Sequence, residues 1–257
     1  MSLAKLTQRL RAHDWTAAGI ELLIVIVGIL IALQVSNWNQ DRLDRARGHR
    51  YAVRIHADLQ QDIARIASTK AFWHQVSNYA DQAIAHGESG ALVDGSAWKT
   101  VLAYYQAGQL MPFELEDTSF LELRDAGEMN LIGDESLRKR LSSYYRMTGG
   151  GVIGEILHHN PVYREQIRGV TPTAVQKYIW SHCFRQLEGI EQELVDCPSP
   201  ISEQAAGAVL ATYRSTAGLM ENLRYWSTWL EVSQLVVGSA DQQARALSAA
   251  TLAESRR

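Results

Sequence analysis

Glu155, His158 and His159 are the side chains whose types and spacing first suggest chemistry. A Glu-x-x-His pair sets two potential metal ligands on one helix face, as in di-iron bundles. Such a centre needs a second Glu-x-x-His and two further glutamates, and no second copy occurs. HExxH is absent too. The plainer reading is an exposed polar helix face ahead of the Asn160–Pro161 break. The glycine run Thr148 to Gly154, TGGGVIG, lacks the Gly-Lys-Ser/Thr that holds a phosphate and follows no strand. It reads as a break between helices. His182 and Cys183 are adjacent, and adjacent helical residues do not face one another. No Ser/His/Asp arrangement is readable. The expectation is a protein without a catalytic constellation, a cofactor or a resident metal, with Glu155 and His158 the only candidate ligands.

Cys183 and Cys197 are the two cysteines. In an oxidising compartment they can close a short loop worth ~3 kcal/mol. The alternative is two unrelated buried thiols, and the sequence leaves both open. Tyr104, Tyr105, Tyr144, Tyr145, Tyr178, Trp180, Trp226 and Trp229 supply aromatic bulk, more simply core than ligand cage.

Glu21 is a carboxylate near the start of an apolar run, where a charge is costly unless it is paired or reaches the interface. Glu21, Val25, Gly28, Ala32 and Val35 recur at alternating spacings of four and three, so they share a helix face. Gly28 and Ala32 form a small-x-x-x-small pair that lets two helices approach closely. This face is a candidate for contact with a second copy or another partner helix, with Glu21 hydrogen-bonded across it. Alternatively, Glu21 snorkels to the headgroups at the positive end of its own helix.

The element that positions these residues runs from Ala17 to Trp38. Leu22 to Leu33 is apolar or glycine throughout. Twenty residues from Ala17 to Ser36 span ~30 Å, one hydrocarbon thickness. Trp15 and Trp38 bracket the span, as indoles do at membrane interfaces. The residues after the run, Gln34 to Trp38, make a poor cleavage site for a signal peptide. Twelve unbroken apolar positions flanked by tryptophan argue against a buried core helix. A single-pass anchor follows.

The chain has 257 residues, 46% of them hydrophobic, so the part beyond the anchor suffices for one domain with a core. A net charge of −3 argues against nucleic acid as partner. Residues 1–16 form a basic amphipathic tail, with Leu3, Leu6 and Leu10 beside Lys5 and Arg9. Residues 39–54 are a polar helical stalk containing Arg42, Arg45, Arg47, Arg50 and Arg54. Counting Lys and Arg alone favours a cytoplasmic domain. The amphipathic tail, the interleaved Asp41 and Asp44, and the cysteine pair favour an inner-membrane protein with its domain outside.

Residues 55–250 carry helical periodicity, beginning with Ile55, Leu59, Ile63, Ile66, Trp73, Val76, Ala80 and Ile84. HGESGALVDGS ends that helix. Ser96 and Asp134 cap later ones, Asp117 or Thr118 starts FLELRDAG, and Thr171–Pro172 opens TAVQKYIWSHCF. Ile201 to about Ala249 is helical in pattern, with Leu210, Tyr213, Leu219, Leu223, Trp226, Leu230 and Leu235 as the buried stripe. Residues 251–257 are a solvated tail. No segment alternates with period two. The fold expected is all-α: one transmembrane helix, a long helix and an irregular bundle.

Gly28, Ile29, Leu30, Ile31, Ala32, Leu33, Gln34, Asn37, Trp38 and Asn39 give G-I-L-I-A-L-Q-x-x-N-W-N. This run resembles the anchor of an uncharacterised family of bacterial single-pass membrane proteins. Thr118, Glu122, Leu123, Gly127, Leu131, Ile132, Leu137, Arg138, Tyr144 and Tyr145 are similar to that family's mid-domain segment. The family commonly has glycine immediately before the glutamate. Here Ile20 stands there, with Gly19 one position earlier. The resemblance implies an anchor and a mostly helical domain, and brings no activity with it. The function expected is a membrane-anchored interaction or scaffold module that self-associates through its anchor. The alternatives are an extracytoplasmic ligand-binding or sensory domain and a metal-dependent enzyme around Glu155 and His158.

Overall fold

The computed structural model describes residues 15–111, 113–149, 152–187 and 191–256. The basic tail up to residue 14, Pro112 and the centre of TGGGVIG lie outside the described residues. Among the described residues the chain is all-α apart from one two-stranded ribbon.

Helix α1 (Trp15–Ser89) runs for 75 residues, about 110 Å at 1.5 Å per residue. Anchor and domain share this helix because no proline interrupts it and its polar stretch supports itself. Gln40 donates to Asp44 at 2.9 Å and Arg47 pairs with Asp44 at 2.6 Å, the one-turn contacts that stabilise helices. Gly90, with φ +77°, follows its end.

A 3-10 turn (Val93–Gly95) leads to α2 (Ala97–Gln106), α3 (Thr118–Asp125) and a second 3-10 turn (Met129–Leu131). Then come α4 (Glu135–Gly149), α5 (Val152–Leu157), α6 (Val162–Val170) and α7 (Thr173–His182). Strands β1 (Phe184–Gln186) and β2 (Gln192–Leu194) pair antiparallel with Arg185 opposite Glu193. Helices α8 (Glu203–Ser215) and α9 (Leu219–Glu254) complete the chain. Ser96 accepts a hydrogen bond from the Lys99 amide and Asp134 one from Leu137, so both expected caps form.

The core is organised by α1 and α9, the most extensive helix pair. They run antiparallel: His56 and Gln60 meet Ser248, whereas Ser77 meets Gln234. The C-terminus of α9 therefore lies nearer the anchor. Ile55, Leu59, Ile66, Trp73 and Val76 on α1 are buried, as are Leu223, Trp226, Leu230 and Val237 on α9. Trp73 and Trp226 meet edge to face with centroids 6.0 Å apart, a favoured aromatic geometry.

Several expectations are corrected. The polar stretch 39–54 is not a free stalk along its whole length, because Gly48 and Ala52 are already buried. A β-carbon at Gly48 would stand 2.3 Å from the Leu131 carbonyl oxygen, so glycine permits this contact. The end is docked, with Thr251 buried and Glu254 accepting from the Gly133 amide at 2.7 Å. The helical pattern after Ile201 divides at Gly218, whose φ is +76°. Leu235 is 76% exposed. It follows the buried Leu230 by five residues, a rotation of about 140°. The short ribbon was unforeseen, since three-residue strands are too brief to display a period of two. Thr171 does not cap α7. Its buried hydroxyl meets the Ile167 carbonyl at 2.6 Å and the Tyr213 hydroxyl at 2.7 Å instead.

Candidate functional site

Three regions carry the candidate chemistry. The first is the anchor. One described helix is long and apolar enough to cross a membrane, and its apolar window is wholly exposed in the single chain. Glu21, Gly28 and Ala32 all lie on it. A β-carbon at Gly28 would meet nothing within 4 Å. The continuity of α1 fixes the direction of this face relative to the domain. Eighteen residues separate Gly28 from Ala46, and again Ala46 from Ala64, which is five turns at about 3.6 residues each. All three therefore point the same way, and Ala46 and Ala64 are exposed. Ile55 is twenty-seven residues from Gly28, about seven and a half turns. It points oppositely and is fully buried. The small-residue face of the anchor lies on the side of α1 away from the bundle.

The second region is the end of the domain nearest the apolar part of α1. Arg47 pairs with Glu128 and with Asp44, and Arg54 pairs with Glu122. Arg54 holds the Glu122 carboxyl below its ordinary range. Arg47, Arg50, Tyr51, Arg54, Glu122 and Glu128 border a cleft of about 190 Å³. Two arginines of the former stalk thus fasten the domain to α1, while Arg42, Arg45 and Arg50 are exposed. The segment resembling the family's mid-domain lies here. Gly127, at φ +70°, ends α3. Arg138 donates to the carbonyls of Ile132 and Gly133, and Leu123, Ile132 and Leu137 are buried. Tyr145 stacks on Phe120 with centroids 4.6 Å apart. These contacts assemble structure rather than a reactive centre.

Just beyond lie two buried aspartates of α1. Asp58 accepts from the Ser119 amide at 3.2 Å, and Asp62 accepts from the Glu116 amide at 2.7 Å and the Tyr144 hydroxyl at 3.0 Å. They replace the cap expected from Asp117, which makes no such bond. Asp62 is 1% exposed. Burial pushes its carboxyl up to about 7, against the lowering effect of its two donors and nearby Arg65. Sequence reasoning missed this pair. The signal was present: Asp58 and Asp62 are one turn apart among Ile55, Leu59 and Ile66.

The third region is at the far end of the bundle. Cys183 and Cys197 are joined by a disulfide. It closes the ribbon against α2, where the Trp98 indole donates to the Cys197 carbonyl at 3.0 Å. Beside it opens a polar cleft of about 230 Å³. Helix α1 contributes Gln75, Tyr79 and Gln82, the 93–95 turn contributes Asp94, and α2 contributes Lys99 and Leu102. Asp196, next to the disulfide, completes the rim. Gln75 donates to the Leu194 carbonyl and accepts from the Leu194 amide, at 3.3 and 3.2 Å, which holds the wall formed by β2. The Tyr79 hydroxyl is pushed up to about 12, mainly by burial. It stays protonated and lies 3.5 Å from Asp196. These residues are scattered along the sequence, which offered no motif for them.

The candidate metal ligands are not assembled. Glu155 and His158 are exposed, and His159 lies tilted against Trp229, with centroids 4.6 Å apart. Among the described residues no group of three or more His, Cys, Asp or Glu side chains is placed to hold a metal ion. His182 stacks on Tyr178, centroids 4.1 Å apart, while Cys183 is in the disulfide. No protein-family model, curated protein or solved structure matches the chain.

Proposed function

We propose that this chain is a single-pass membrane protein whose helical domain is an interaction scaffold, and that it self-associates through the anchor face of Glu21, Gly28 and Ala32. The observation that carries the reading is the phase of α1. Because the helix is unbroken, that face points away from the bundle. Two parallel copies can therefore close on Gly28 and Ala32 with both domains turned outward. Small residues allow the backbones to approach, and packing rather than hydrophobicity drives such contacts in lipid. Glu21 lies on the same side, where a hydrogen bond across the pair offsets the cost of its burial.

We place the span in the bacterial inner membrane and the domain on its extracytoplasmic side. The Cys183–Cys197 bond supports this, because disulfides persist in oxidising compartments. The family resemblance of the Gly28 to Asn39 run supports the anchor. The partners in this reading are the bilayer and a second copy.

The test is cross-linking of the full-length protein and its Gly28→Leu variant in membranes. The variant should lose the cross-linked dimer and keep the thermal unfolding of the domain, since Gly28 touches nothing in the single chain. An undiminished dimer in the variant, or no dimer in the parent, overturns self-association. Labelling of intact cells with a membrane-impermeant thiol reagent decides the side. Reaction after reduction agrees with an outside domain, whereas reaction only after lysis overturns it.

A further inference from the structure

The distal cleft has a lining that selects among ligand chemistries. Its volume, about 230 Å³, is below the ~300–1,000 Å³ of drug-sized sites. It suits one small ring rather than an extended chain. Lys99 pairs with Asp94 at 2.7 Å, so its charge is already balanced. A zwitterion would need that ammonium free. Asp196 leaves the site with one uncompensated carboxylate. Around it, acceptors and donors are intermingled: the carboxylate of Asp196, the protonated hydroxyl of Tyr79 and the carboxamide of Gln82. Gln82 is exposed and has no side-chain partner among the described residues. Tyr79 and Val93 add apolar surface to the same cleft.

A ligand that fits this mixture has groups that each donate and accept, on a ring with an apolar face. We propose that the cleft between α1, the 93–95 turn and Asp196 binds a single neutral saccharide ring. Asp196 and Gln82 engage its hydroxyls, and the ring's C–H face rests on Tyr79 and Val93. The walls are set before binding. Gln75 fixes Leu194, and the disulfide with the Trp98 contact fixes the backbone beside Asp196. At Asp94 and Gly95 the backbone is left-handed, φ +48° and +72°, which turns the chain back toward Lys99. Preformed walls reduce the ordering cost of binding a small ligand. This proposal does not depend on self-association.

The test uses the full-length protein in lipid nanodiscs, because glycoside detergents would compete. Saturation-transfer NMR is recorded with glucose, galactose and N-acetylglucosamine, and with putrescine and glutamate for comparison. At least one sugar should receive saturation at its ring protons. Gln82→Ala should weaken it tenfold or more, and Asp196→Asn should weaken it several-fold. Both changes are at exposed positions, and unaltered thermal unfolding would show that the fold is kept. The proposal is overturned by no transfer to any of the three sugars. It is equally overturned by transfer that Gln82→Ala leaves intact. Preferential binding of putrescine or glutamate would identify a cation or zwitterion site instead and likewise overturn it.

Discussion

The two ends of the domain are held together by different means. The end nearest the apolar segment, the proximal end, is closed by packing and by groups that reach across from α1. Gly48 admits Leu131, Arg47 and Arg54 take Glu128 and Glu122, and Asp58 and Asp62 hold the approach to α3. The distal end has short elements, a six-residue ribbon and an open polar cleft, and it is closed by a covalent bond. One end fixes the domain on its helix. The other keeps an open concave surface beside the buried Trp98, Val101 and Leu102 of α2.

The largest expected effect concerns Asp62 and would show how far the proximal end depends on a buried carboxyl. In the folded chain this group sits at about 7, against about 3.9 when unfolded. Folding therefore favours its protonated form. Its contribution to stability is fully present below about pH 4 and is lost as pH rises through 7. Asp62→Asn keeps an acceptor for the Glu116 amide and carries no charge. The variant should gain stability over the parent as pH rises, reaching roughly 4 kcal/mol by pH 8 in order of magnitude. Its advantage should shrink toward pH 4. Urea unfolding at pH 5, 6.5 and 8 measures this. A difference that does not change with pH would mean that water reaches Asp62 and that the proximal end is not sealed.

Next in size is the distal disulfide. Replacing Cys183 and Cys197 by alanine should cost ~3 kcal/mol, the chain-entropy value for a loop of this length. Hydrogen exchange should accelerate in β1, β2 and around Trp98, while α3 and α4 keep their protection. Equal acceleration at both ends would break the comparison, since the bond would then support the whole bundle.

What the sequence made legible follows the same division. The long apolar segment and the buried stripe of α1 could be read because they depend on local spacing alone. Ser96 and Asp134 were readable as caps because their partners lie three residues on. The position of Leu235 was not, because the pattern after Leu230 offers more than one apolar residue and only α1 selects between them. Gly48 looked like any polar-stretch glycine until Leu131 was placed against it. Two cysteines could be read as a bridge or as separate thiols, and nothing local decides that. The cleft joins Tyr79, Lys99 and Asp196, which are too far apart in sequence to form a motif.

The smallest of these effects is also the sharpest test of the proximal contact. Gly48→Ala adds a single methyl group directed at a backbone oxygen, 2.3 Å away in the present geometry. Backbone cannot rotate aside as a side chain does, so the turn at 129–131 must lift from α1. The expected loss is ~1–3 kcal/mol, the usual range for overpacking. It would be read from thermal or urea unfolding of the full-length protein. In an isolated helix the same change favours folding, because alanine exceeds glycine in helix propensity by ~1 kcal/mol. The two effects have opposite signs, so the outcome discriminates. A stabilised variant would mean that α1 behaves at Gly48 as a free stalk and that the domain begins further along α1. A destabilised one would mean that tertiary contact outweighs propensity within about ten residues of Trp38, as the approach of Leu131 requires.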